Sequence, residues 1–125
     1  MASTAIQATT AVTFRATGIK ASPVHVFAKG GRKWIVASEV CRILGLRTDA
    51  VPQLVREQDR SRATVLTHGS VQAVTVVTEE GFNRLVGQSS KPAAKVLHAW
   101  MVGEVLPAVG KAPVSYAPER QGELF

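Results

Sequence analysis

The chain has 125 residues, 46% of them hydrophobic, with 15 Lys+Arg against 9 Asp+Glu, a formal net charge of +6 and one cysteine. That length and apolar content support one domain with one core and exclude a chain that is disordered throughout. A lone cysteine excludes an internal disulfide and a cysteine-based metal cluster, and the basic balance points to a polyanionic partner, foremost nucleic acid, with plain solubility as the alternative.

The N-terminal MASTAIQATTAV lacks the basic start and apolar block of a signal peptide, and residues 1–11 read as a flexible arm before a domain spanning 12–111. Residues 13–17 and 24–28 read as strands joined around Gly18, followed by a Lys29-Gly30-Gly31 turn and a third strand over 33–36. Ser38 then reads as the cap of a helix whose first turn carries Glu39 and whose buried stripe is Val40, Ile43 and Leu44. Cys41 falls on the same apolar side as core filling, and Gly45 is the helix stop.

A second short helix is expected near 49–57, with Pro52 marking its true start, then a polar loop over 57–61. Two β-branched segments, 63–67 and 71–77, flank His68-Gly69-Ser70 and predict a hairpin. Thr78 caps a helix opening Glu79-Glu80, with Phe82, Leu85 and Val86 turned inward. The last helix opens at Ser90-Lys91-Pro92, and Leu97, Trp100, Met101, Val105 and Val109 recur at helical spacing. Pro107 cannot make the bond toward Gly103, so a kink or loosened turn is expected there. Residues 112–125 read as a flexible tail. Strands and helices in blocks, with hairpins rather than βαβ units, give an α+β class: a small antiparallel sheet packed with about four short-to-medium helices.

The chemistry-bearing motifs are sparse. His25, His68 and His98 are scattered and lack carboxylates at ligand spacing, so neither a metal nor any other cofactor is expected. There is no phosphate loop, nucleophile elbow or zinc-protease pair, and adjacent Glu79 and Glu80 point apart on a helix, so the chain does not read as an enzyme. No apolar run reaches the ~18 residues of a membrane span, and the lone cysteine fits a reducing cytoplasm. Cys41, Gly45, Val51 and Leu54 partly fit a helix-turn-helix, but Pro52 falls within its recognition helix, and a plain helical corner accounts for them as well.

The basic residues carry more information. Lys29, Arg32 and Lys33 flank the glycine turn, where a hairpin tip would present them together to phosphates or a groove. Arg42, Arg47, Arg56, Arg60 and Arg62 form a second group, partly offset by Asp49, Glu57 and Asp59. The alternative is a set of solvated loop charges. The terminal Gln121-Gly122-Glu123-Leu124-Phe125 resembles the bacterial sliding-clamp-binding peptide, with Gly122 in place of its preferred Leu; Gln121, Leu124 and Phe125 would be its contact residues, and folding back on the domain is the alternative.

In combination, GRKWIVASEVCRILGL (31–46) and VTEEGFNRLVGQSSKPAAKVLHAWMVGEVLPAVGK (77–111) resemble the two halves of the BRO N-terminal domain of phage and prophage antirepressors. The match runs over roughly 12–116. Trp34, Val36, Val40, Leu44 and Gly45 fit the first half; Glu79, Gly81, Arg84, Lys91, Pro92, Trp100 and Glu104 through Pro107 fit the second. The resemblance implies an α+β DNA-binding module acting in transcription regulation, and adds Arg84, Lys91 and Lys95 as basic candidates. Ser90, Ala99 and Gly110 stand where the family pattern has basic residues, which shifts the expected DNA surface toward the 29–33 turn and the Arg42–Arg62 region. The expected partners are therefore DNA, in the manner of a homodimer on a symmetric site, or a phage repressor or host protein if DNA binding has been lost.

Overall fold

The computed structural model describes residues 6–16, 19–67 and 69–109. Strands β1 (Ile6–Ala8), β2 (Thr10–Ala16), β3 (Ile19–Lys29), β4 (Arg32–Val36), β5 (Arg60–Thr67) and β6 (Ser70–Val77) form one sheet in the order β1-β5-β6-β4-β3-β2. β2 through β6 pair antiparallel, and β1 joins β5 in parallel. Against the sheet lie α1 (Ala37–Leu44), α2 (Val51–Leu54), α3 (Glu79–Gln88) and α4 (Ala93–Trp100). The α4 axis continues through a π-helical stretch, Met101–Val105, into a last α turn, Leu106–Ala108. The class is α+β, as the block pattern predicts.

β1 and β2 sit at opposite ends of the strand order, yet Thr9 alone separates them in the chain. Two Cα steps reach at most about 7 Å. The sheet must therefore curl until its two edges meet. Thr9 Oγ1 donates to the Leu66 carbonyl at 2.9 Å and pins the crossing. The stretch expected as a loose arm over 1–11 thus supplies β1 and the first residues of β2, because the open edge of β5 offers its backbone groups partners.

The sheet packs apolar side chains on both faces. On the helix-covered face, Phe14, Val24, Val26, Ile35 and Val77 join buried side chains of all four helices in the main core. The opposite face holds a smaller cluster of Phe27, Val36, Val65 and Val76, with Trp34, Ala63 and Val74 packed against it. The period-two alternation of the strands sorts the residues between the two.

The turn between β3 and β4 is closed by Gly30 and Gly31, at φ 63° and 77°, opposite the Lys29↔Arg32 pair. Two residues at positive φ are what a type I′ hairpin needs. Gly45 ends α1 at φ 75° as expected, and Thr78 caps α3 by accepting the Gly81 N–H at 3.2 Å. Ser38 is not the α1 cap: the helix starts at Ala37, straight out of β4, and Val36 offers no side-chain oxygen. Instead of a helix over 49–57, a 3₁₀ turn at Thr48–Ala50 leads into α2, and Glu57–Asp59 forms a second 3₁₀ turn. Pro52 enters α2 in its first turn, where its missing N–H costs nothing, and extended Val55 ends it. β5 begins at Arg60, inside the expected loop. The loosened turn expected at Pro107 is the π-helical stretch, in which the Leu106 N–H reaches back five residues to Met101.

Candidate functional site

The eleven basic candidates separate into two groups according to what their side chains touch. Arg32 and Lys33 are successive strand residues, so they point to opposite faces rather than sharing the hairpin tip. Arg32 lies over the Trp34 ring, 5.4 Å from its centroid, and donates to the Gln58 carbonyl at 3.0 Å. Lys33 is half-buried on the helix side, where Nζ donates to the Leu106 carbonyl at 2.6 Å, a helix-end oxygen without an intrahelical partner of the usual kind. Arg47 grips Asp49 with two hydrogen bonds of 3.0 and 2.7 Å. That pairing raises the guanidinium pKa and holds the Asp49 carboxyl below its ordinary value. Arg60 donates to the Val55 carbonyl, and exposed Arg62 leans on the Thr75 hydroxyl.

Asp59, which sequence reasoning treated only as an offsetting surface charge, is buried with its side chain 5% exposed. Its Oδ1 accepts from Thr78 Oγ1 at 3.2 Å and lies 3.5 Å from Arg32; its Oδ2 lies 3.5 Å from Arg56 Nε and makes no hydrogen bond. Asp59 therefore ties the start of β5 to the cap of α3 and holds Arg32 and Arg56. Nothing in the local pattern distinguishes it from Glu57. A second buried pair stands beyond the last β3–β4 rung. Glu39 Oε1 accepts the His25 N–H at 2.6 Å, and Oε2 lies 2.7 Å from His25 Nδ1. Glu39 thus bonds β3 to α1 besides favouring the helix start.

The remaining candidates, Lys29, Arg42, Arg84, Lys91 and Lys95, are exposed, and their side chains make no hydrogen bond or ion pair among the described residues. Ser89 Oγ donates to the Leu44 carbonyl at 2.6 Å and seats the α3–α4 turn on the C-terminal end of α1. Lys91 lies over Gly45 so closely that a Cβ there would come within 2.6 Å of its Cε. Arg42, one turn before Gly45, thus shares a helix end with Lys91, and Lys95 follows one turn along α4. Cations at that end are favoured by the α1 dipole. The Asn83–His98 contact of 3.1 Å ties α3 to α4. Lys29 stands apart at the hairpin tip.

Among the described residues no group of three or more His, Cys, Asp or Glu could hold a metal ion, and no helix is long and apolar enough to cross a membrane. Cys41 is buried, and burial pushes its thiol up to about 11. Residues 121–125, with the Gln121, Leu124 and Phe125 reading, lie outside the described residues, as does His68.

The family model described as "BRO family, N-terminal domain" matches residues 23–107, the stretch from the middle of β3 to the last helical turn. The chain belongs to the BRO family. The matched span is narrower than the 12–116 suggested by motif spacing, and it leaves β1 and β2 outside. BRO N-terminal domains are of the antirepressor, DNA-binding type, and the helix end bearing Arg42 and Lys91 lies wholly within the match. Among curated proteins, an uncharacterized protein of Haemophilus influenzae is 29% identical over 103 residues, covering 80% of this chain. The alignment spans about half of that relative's own length, 51%. No solved structure matches the chain.

Proposed function

We propose that this BRO-family chain is a small phage or prophage transcription regulator of antirepressor type that holds duplex DNA through lysine and arginine contacts to phosphate. The observation that carries the reading is the joint helix end. Lys91 lies over the C-terminal end of α1, whose last turn carries Arg42, and Lys95 stands one turn further along the chain in α4; all three are exposed and without acidic partners among the described residues. Charges already committed to carboxylates, such as Arg47, release few counterions on binding; uncommitted ones release most. This moves the expected surface from the Arg32–Lys33 pair and the Arg47–Arg60 stretch to the α1/α4 end, with Lys29 as an outlying contact.

Duplex binding measured by fluorescence anisotropy over a range of salt tests it. Log K should fall linearly with log salt, and Arg42→Ala or Lys91→Ala should each reduce the slope by about 0.9 per lost phosphate contact. Arg47→Ala should leave the slope unchanged. A flat salt profile, or an Arg42→Ala/Lys91→Ala/Lys95→Ala variant that binds like the parent, refutes the assignment. A second reading, a protein-interaction module, is favoured by Leu66 and Val71, which stand 45% and 53% exposed at the β5–β6 hairpin end. Recovery of one stoichiometric protein in a nuclease-treated affinity purification, lost in Leu66→Ser with Val71→Ser, would favour it.

A further inference from the structure

Beneath the β3–β4 turn, the sheet face opposite the helices opens into a cavity of about 270 Å³. Its lining sorts by chemistry. Phe27, Ala63 and Val76 form an apolar floor, Trp34 stands half-buried, and Lys29 and Arg32 supply two cations from opposite positions of one rung. Arg62 also borders the cavity, but strand alternation sends its guanidinium to the other face, onto Thr75. No acidic residue lines it among the described residues. A neighbouring cavity of about 420 Å³ shares Arg32 but is lined by Glu79 and Glu80, which would repel an anion.

An apolar floor beside an indole, with a paired cationic rim, fits a ligand that is flat and aromatic at one end and anionic at the other. The Trp34 ring is held in place, since its Nε1 donates to the Lys29 carbonyl at 3.4 Å and the Arg32 guanidinium lies over it. Arg32 is itself fixed by Gln58 and Asp59, so the site does not have to be ordered on binding. The volume falls just under the roughly 300–1,000 Å³ of drug-sized sites, which suits one base with its phosphate.

We propose that this cavity binds a single nucleotide unit, the base against Trp34 and the apolar floor and the phosphate between Lys29 and Arg32. The unit is either a free mononucleotide or an unstacked nucleotide of a single strand, and both share this chemistry. The site stands apart from the α1/α4 duplex surface and does not rest on it.

The chain has two tryptophans, so Trp100→Phe leaves Trp34 as the only indole. That variant is titrated with dTMP, with a short oligothymidylate and with inorganic phosphate, following Trp34 fluorescence. Quenching by dTMP identifies a free nucleotide as sufficient; quenching by the oligothymidylate alone identifies the strand as the source. Inorganic phosphate at the same concentration should leave the signal unchanged. Ala63→Leu fills the floor without touching a charge and should weaken binding about tenfold or more, the scale of one lost base stack. Duplex affinity should stay at the parent value in that variant, so the two surfaces fail separately. If Ala63→Leu does not fold, the smaller Ala63→Val decides, with an expected severalfold loss and an unchanged duplex affinity. No quenching by either nucleotide probe, quenching by phosphate alone, or parent-like binding in the cavity variants overturns the proposal.

Discussion

Gly81→Ala is the sharpest stability test, because the same substitution six residues along the same helix should act in the opposite direction. A Cβ at Gly81 would sit 2.8 Å from the Asp59 carbonyl oxygen, 2.9 Å from Val55 Cγ1 and 3.1 Å from Val77 Cβ. Optimal non-bonded contacts lie at about 3.5–4.0 Å, so all three are too short. The Asp59 carbonyl cannot retreat freely, since it accepts the Thr78 N–H at 3.0 Å. Overpacking of this kind costs about 1–3 kcal/mol, and the helix preference of Ala over Gly returns at most about 1 kcal/mol. With the shortest contact to a held backbone oxygen, the cost falls at the upper end of that range, about 2–3 kcal/mol, and the net expectation is a loss of about 1–2 kcal/mol. At about 3–6 °C per kcal/mol for a domain of this size, the melting temperature should fall by roughly 3–12 °C. Gly87, exposed on α3, has nothing within 4 Å of its would-be Cβ. Gly87→Ala should therefore stabilise by up to about 1 kcal/mol. Thermal melts followed by circular dichroism, with urea titration as a check, measure both. A Gly81→Ala melt at or above wild type would show that the seam between α3 and the start of β5 is not close-packed.

Lys33→Met removes one of two donors from the Leu106 carbonyl, which keeps the Val109 N–H, and should cost about 0.5–1.5 kcal/mol, the net worth of one hydrogen bond. Hydrogen exchange should then accelerate at the Val109 amide, which bonds Val105 and Leu106. Unchanged stability would mean water serves that carbonyl equally well. Cys41 should resist a disulfide reagent at pH 8 until the protein unfolds, and immediate labelling in native buffer would contradict its burial. Because burial lifts that thiol from 9.0 to about 11, the folded state keeps the proton longer than the unfolded chain. Its contribution to stability is intact below about pH 9 and is lost as the pH climbs toward 11. Cys41→Ala should flatten that part of the profile.

Much of this architecture is legible locally. Paired glycines, Thr78 before Glu79-Glu80, Gly45 after an apolar stripe and Pro107 opposite Gly103 each act within five residues, and each produces its turn, cap, stop or loosened turn. β1 is not legible, because the sequence Ile6-Gln7-Ala8 becomes a strand only when β5 is beside it. The same limit applies to the basic residues. Arg47 and Asp49 are near enough to be read as an offset pair, but Lys33 meets Leu106 across 73 residues. Trp34 reads as a core position from its place in the motif. That it shares a face with Arg32 follows from alternation; that this face borders a cavity follows only from the placing of β5 and β6 beside β4.

Closure of the sheet also sets an order of events. Thr9 and Leu66 are 57 residues apart in the chain, whereas the β3–β4 hairpin closes over two. Loop-closure entropy grows with separation, and long-range pairings form slowly. On a ribosome, residues 6–10 emerge before β5 and wait until it has been made. During that interval the β3–β4 face with Phe27 and Val36 lacks its β5 and β6 partners and is open to other chains. Slowing synthesis between β4 and β5 should lengthen the aggregation-prone interval, while the hairpin itself is already formed.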